Sequence, residues 1–306
     1  MTTSRILLFS LSLCACGDNA VTMPVDMTGA PANDMTASAP DGGMAMPCQP
    51  PTKYGGGELQ MTGTNVIARI VDETGAPLAN QEVIICGINL CDAPAKTGPD
   101  GSVSMMSKLA YMKPAFHYGD GLTYALLAVP LTAASTDFTT GGHVLATAKL
   151  SDKPGATLTP GASAQSGDVT ITLPANTTVG LDGLVYDTPD KQKFRAASIP
   201  LANAGPLVVA SGAPGDFSLL YGVAPADTLL CPAVSMKVAL PASLGWAPGT
   251  AVEFWVFSSD TFQQWAPYAG WAKASDGVVD SDGKTVSTSP GQGLLYLNSF
   301  AIRKSH

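Results

Sequence analysis

The sequence predicts an all-β protein, with two β-sandwich domains behind a long N-terminal segment that has no periodic structure. Three observations carry this expectation. Short runs alternate apolar and polar residues with period two, the pattern of a strand with one buried face. Turn signals such as Pro-Asp-Gly and Asp-Gly separate the runs and supply the backbone angles that a chain reversal needs. The chain is poor in charge (13%) and carries 32 Gly and 24 Pro, and no stretch shows a strong 3.6-residue apolar period.

The N-terminus sets the rest of the chain in context. Arg5 is followed by an apolar run over residues 6–13. That is too short for a bilayer-spanning helix, which needs about 20 residues, but it suits the hydrophobic region of a secretory signal. Leu13-Cys14-Ala15-Cys16 comes next. It resembles the bacterial lipobox, with an aliphatic residue at −3, a small residue at −1 and then the cysteine to be modified. The resemblance implies cleavage before Cys16 and a diacylglyceryl thioether on that cysteine. Acyl chains such as palmitate on one residue then hold the protein on a membrane, because a single chain binds only reversibly. An ordinary cleaved signal, with Cys14 and Cys16 incidental, is the bland alternative. Lipidation at Cys14 is another, and would place bulky Leu13 at −1. Gly17 is not the aspartate that retains some lipoproteins in the inner membrane, so the expected location is the bacterial cell envelope, at the outer membrane.

Residues 17–51 are built from Pro, Asp, Met, Thr, Ala and Gly, with no aromatic residue. Such a segment buries too little apolar surface to offset its chain entropy. Residues 16–57 are therefore expected to be a lipidated linker, spanning on the order of 30 Å. Without residues 1–15 the chain has 15 basic and 24 acidic side chains, a net charge of −9. There is no basic stripe, which argues against a nucleic-acid partner.

Beyond Cys14 and Cys16 four cysteines remain, Cys48, Cys86, Cys91 and Cys231. In an exported chain an even number suggests disulfides. Three pairings are open. A Cys86–Cys91 bridge closing a small loop is favoured, which leaves Cys48 with Cys231. Zinc is disfavoured, because the spacings are not Cys-x2-Cys and only His117 and His143 lie in the folded region.

Residues 58–150 read as the first folded domain. Residues 64–72 form an apolar, β-branched run, residues 73–78 a turn, residues 81–86 a second strand and residues 97–101 a Pro-Asp-Gly turn before a third. Residues 122–130 and 143–150 are further strand candidates whose pairing is open. Here the chain resembles the carboxypeptidase regulatory-like (transthyretin-like) β-sandwich family. Asp72, Gly75, Pro77 and Leu78 match its Asp-x-x-Gly-x-Pro-Leu pattern, and Thr97, Asp100 and Gly101 its Thr-x-x-Asp-Gly. The signature concerns folding, with positive φ at the glycines and a fixed φ at Pro77. It implies no catalytic residue.

Residues 151–306 read as the second domain. In residues 168–174, Val169, Ile171 and Leu173 face in and Asp168, Thr170 and Thr172 face out. Residues 217–223, 235–241 and 250–257 repeat the alternation. The Leu173-Pro174 strand, Tyr221 to Pro225, a strand ending at Pro241, a Gly249-led strand, Trp265 and a terminal strand at 298–302 together resemble bacterial ZU5-like sandwich modules. The resemblance implies a structural or protein-contact unit, not an enzyme.

Catalytic readings find little support. The chain has no Gly-x-Ser-x-Gly elbow and no His-Glu-x-x-His. His117 and His143 read as strand residues. Glu58, Glu73, Glu82 and Glu253 are its only glutamates, and most aspartates sit in turns, where they cap. The acidic stretch with Asp276, Asp280 and Asp282 lacks the downstream glutamate of an EF-hand and reads as a hairpin turn. No cofactor is expected. The sharpest binding idea is aromatic. Trp255, Phe257, Phe262, Trp265, Tyr268 and Trp271 fall within 17 residues. Trp255 and Phe257 share one strand face opposite Phe254 and Val256, and a sandwich strand with one wet face would turn one of these pairs to solvent. Two functions follow. The first is a lipid-anchored, non-enzymatic envelope protein with a structural or adhesive role. The alternative is a carbohydrate- or peptide-binding module using Trp255, Phe257, Trp265, Tyr268 and Trp271.

Overall fold

The computed structural model describes Cys48 and residues 64–87, 90–107, 114–131, 137–139, 144–208, 213–259 and 265–306. The expected signal, Cys16 and nearly all of the expected linker lie outside the described residues, as do His143 and Phe262.

The protein is all-β. Its first eight strands are β1 (Thr64–Val71), β2 (Glu82–Cys86), β3 (Ala95–Lys96), β4 (Ser102–Ser107), β5 (Ala115–Tyr118), β6 (Leu127–Pro130), β7 (Asp137–Thr139) and β8 (Leu145–Ala146). They form two small sheets. In one, β1 pairs antiparallel with β4 and parallel with β7 and β8. The other has the order β3-β2-β5-β6. The turns between them use the residues the sequence singled out. The Asp72 carboxylate accepts from the Thr74 N–H at 2.8 Å and the Ala76 N–H at 3.0 Å, closing the loop after β1. At Gly101 φ is +77°, and a Cβ there would lie 2.4 Å from the Ile70 carbonyl oxygen, so only glycine fits.

Eleven strands follow: β9 (Ser163–Ser166), β10 (Val169–Thr172), β11 (Thr178–Gly180), β12 (Arg195–Ser198), β13 (Leu219–Ala224), β14 (Thr228–Ala239), β15 (Ala251–Ser258), β16 (Gly270–Val279), β17 (Thr285–Thr288), β18 (Leu294–Leu297) and β19 (Phe300–Lys304). They make one sheet of order β12-β13-β19-β15-β16-β17-β14-β10-β9, with β11 and β18 also on β14. β16 joins its two halves, pairing with β15 on one edge and β17 on the other, and the two halves face each other across shared apolar residues. One core then takes Tyr221 and Val223 from β13, Phe254 from β15 and Phe300 from β19. From the other half it takes Ile171 of β10 and Val238 of β14. Val169, Ile171 and Leu173 are all buried, as their alternation predicts.

A second core lies on the other face of β13, β19, β15 and β16. There Leu220, Ala224, Phe257, Trp271 and Ala301 pack with Ile70, Ile85, Phe116, Leu127 and Leu145 of the first eight strands. The sheets thus change near residue 150 while this core runs across it, and residues 46–306 make one compact unit. The approach is close at Gly222, where a Cβ would stand 2.4 Å from the Cβ of Ala125.

Two disulfides close, Cys86–Cys91 and Cys48–Cys231, with Cα separations of 4.0 and 5.6 Å. This is the favoured pairing of the three open to the sequence.

Candidate functional site

The aromatic run expected to face a ligand divides between two environments. Phe257, Tyr268 and Trp271 are buried, at 0, 5 and 1% exposure. This corrects their assignment as ligand-contacting residues. The reason is that β15 is covered on both sides. Val252, Phe254 and Val256 fill one core, while Phe257 fills the other and Trp255 packs against it. A strand inside a stack of layers has no wet face, so alternation alone does not say which of its residues reach solvent.

The buried rings are fixed by specific partners. The Trp271 indole N–H donates to the Leu207 carbonyl at 2.8 Å, and its ring lies 4.9 Å from Phe217 and 5.3 Å from Phe257. Trp255 is half-buried. Its indole N–H donates to Glu253 at 3.1 Å, and the Arg303 guanidinium lies 5.6 Å from its ring. Glu253 also accepts from Arg303 at 2.6 Å and Lys273 at 3.1 Å. Burial alone would raise the Glu253 pKa, but the Arg303 and Lys273 hydrogen bonds outweigh it and hold the carboxyl below its ordinary range. Trp255 is thus built into an ion-pair network.

Tyr268 belongs to another buried set. Its hydroxyl donates to the Cys86 carbonyl at 3.0 Å and lies 2.6 Å from His117 Nε2. Tyr268 spends its one proton on Cys86, so His117 supplies the proton between the two rings and is the Nε2–H tautomer. Burial pushes the His117 pKa down to about 4.

Trp265 stands apart. It is half-buried and stacks on Tyr296, with centroids 5.8 Å apart and planes at 12°. Beside the pair is a cavity of about 70 Å³ lined by Val256, Lys273, Leu295 and the two rings. The Tyr296 hydroxyl donates to the carboxylate of Asp227. Asn298 Nδ2 donates to the same carboxylate at 2.7 Å and Ser259 Oγ at 2.9 Å. Asp227 sits in the tight turn between β13 and β14 with φ +55°, a conformation uncommon for a residue other than glycine and more tolerated by Asp than most. In this group half-buried Trp265 and exposed Asp227 reach solvent, while Tyr296, Ser259 and Asn298 are buried at 5, 7 and 0% exposure and hold the carboxylate in place. Of this group the sequence reading found only Trp265. The available signal was Pro225-Ala226-Asp227, a turn between two alternating runs.

The acidic stretch after β16 is the hairpin turn expected. Asp280 Oδ2 accepts from Thr285 Oγ1 at 2.6 Å, Ser287 Oγ at 3.0 Å and Lys237 Nζ at 2.9 Å, and Asp282 caps the Lys284 N–H at 2.8 Å. Among the described residues no group of three or more His, Cys, Asp or Glu side chains is placed to hold a metal ion.

No protein-family model matches the chain, and no curated protein does. Among solved structures it has a slight likeness to a Bacteroides uniformis protein described as a candidate carbohydrate binding protein. The match covers 79% of this chain and 99% of that one, at 8% identity and a TM-score of 0.20. A likeness that slight bears on neither fold nor ligand.

Proposed function

We propose that the chain is a lipid-anchored, non-enzymatic protein of the bacterial outer membrane whose folded body makes contacts at a distance from the lipid. In this reading residues 58–150 are a carboxypeptidase regulatory-like module and residues 151–306 a ZU5-like one. The hydrogen-bonded turn at Asp72 and the glycine-only turn at Gly101 support the first of these. The carrying observation is the pair of disulfides, since such bonds form in exported proteins. They agree with the lipobox at Cys16 and with a linker over residues 16–57 that is pinned at Cys48 to the folded body. The test is the intact mass and peptide map of native protein extracted from membranes without reductant. A diacylglyceryl group on an N-terminal Cys16 is the expected result. An unmodified Cys16 within a longer or shorter chain overturns the anchor.

A second reading, with a neutral saccharide as the contact, is favoured by half-buried Trp265 near the exposed carboxylate of Asp227, with Tyr296, Asn298 and Ser259 buried behind them as support. Sugar C–H faces pack on aromatic rings, and sugar hydroxyls bond to carboxylate and amide groups. Titration of tryptophan fluorescence with cellohexaose, xylohexaose and mannohexaose tests it. Saturable binding that weakens about tenfold, a loss of about 1.4 kcal/mol, in Trp265→Ala but not in Trp255→Ala is expected. No saturable change with any of the three rejects this reading.

A further inference from the structure

We infer that the Cys48–Cys231 disulfide is a second attachment between tether and folded body, so that cutting the chain between residues 49 and 63 does not free the body from the membrane. The inference rests on the lipid anchor at Cys16 proposed above.

Two covalent routes lead from Cys48 into the fold. The peptide route runs through residues 49–63 to Thr64, the first residue of β1. The disulfide route leads straight to Cys231, 183 residues further along the chain. Cys231 lies within β14, opposite Thr178 of β11. β14 is 12 residues long and is bonded to β10, β11, β17 and β18. Tension arriving from the lipid through Cys48 therefore passes directly into a strand held by four others. The routes are parallel, so loss of the peptide one leaves the other intact. The covalent path from the lipid to the body then runs from Cys16 to Cys48 and across the disulfide, without needing residues 49–63.

The sequence makes the consequence measurable. Between Cys16 and Arg69 the only basic residue is Lys53. Trypsin acting between Cys16 and Arg69 therefore cuts after Lys53, on the peptide route, and nowhere between the lipid and Cys48.

The experiment uses the full lipidated chain in vesicles, with a specific protease site inserted after Gly56. The fraction bound before protease reports on the anchor, and cleavage is read on a reducing gel. After cleavage without reductant the body should stay with the vesicles. A phosphine reductant, which takes up oxygen from water and leaves two thiols, should then release it. The Cys48→Ser, Cys231→Ser pair should be released by cleavage alone. Release of the wild-type body by cleavage without reductant overturns the inference, as does retention after both cleavage and reduction. Protein already soluble before protease instead overturns the anchor.

Discussion

The buried pair His117 and Tyr268 shows most plainly what single residues contribute. Burial holds the His117 pKa near 4 in the folded chain, against an ordinary 6.5. Between those values the unfolded chain binds a proton that the folded chain does not. This contribution to stability is whole above pH 6.5 and falls by up to about 3 kcal/mol as pH drops to 4. Urea unfolding at pH 7 and pH 4.5 should show the loss. His117→Gln keeps a donor toward Tyr268 but does not titrate, so its stability should change less over that range; an unchanged slope would refute the assignment. Tyr268→Phe leaves the His117 N–H and the Cys86 carbonyl without their partner and should cost about 1–3 kcal/mol at pH 7. None of this was legible in the sequence, where His117 is one alternating residue among others. Asp227 was equally hidden. Its partners Ser259, Tyr296 and Asn298 are distant in sequence, and only the folding of the sheet brings them to one turn.

At the scale of elements, strands and turns were legible and pairings were not. The alternation at Val169, Ile171 and Leu173 and the turns at Gly75 and Gly101 are local features, and local chemistry determines them. β1, by contrast, pairs with β4, β7 and β8 while the intervening β2, β3, β5 and β6 form another sheet. Nothing in a period-two pattern names a partner strand. The same gap made residues 255–271 look like a binding surface, since the alternation of β15 is true on both faces and both are covered. Gly222 marks how near the covering layer comes. Gly222→Val should cost about 1–3 kcal/mol, read as a lower denaturation midpoint, because Ala125 occupies the space its side chain needs. The disulfides join elements over very different spans. By loop length alone, removing Cys48–Cys231 should cost about 5 kcal/mol and removing Cys86–Cys91 about 2 kcal/mol. Calorimetry of the two Cys→Ser double variants should rank them in that order, and the reverse order would mean the long loop retains its structure when unfolded.

For the whole molecule the question is whether the two halves on either side of residue 150 stand alone. The sequence divides them by composition and turn signals, and the sheets divide there too. The core does not. Leu220, Ala224, Phe257, Trp271 and Ala301 are each at most 2% exposed, and they face strands that lie before residue 150. A fragment of residues 151–306 would present all five to water on one sheet face. Contiguous apolar surface of that kind leads to association. That fragment, carrying Cys231→Ser to remove the unpaired thiol, should bind an apolar dye such as ANS and show red-shifted tryptophan emission, mainly from Trp271. The intact chain should do neither and should unfold in one transition as seen by both tryptophan emission and circular dichroism. A monomeric fragment that binds no dye and keeps Trp271 in an apolar setting would mean that the shared core adds little to either half. The boundary near 150 would then be a true domain boundary, with the Cys48–Cys231 bond as the main tie across it.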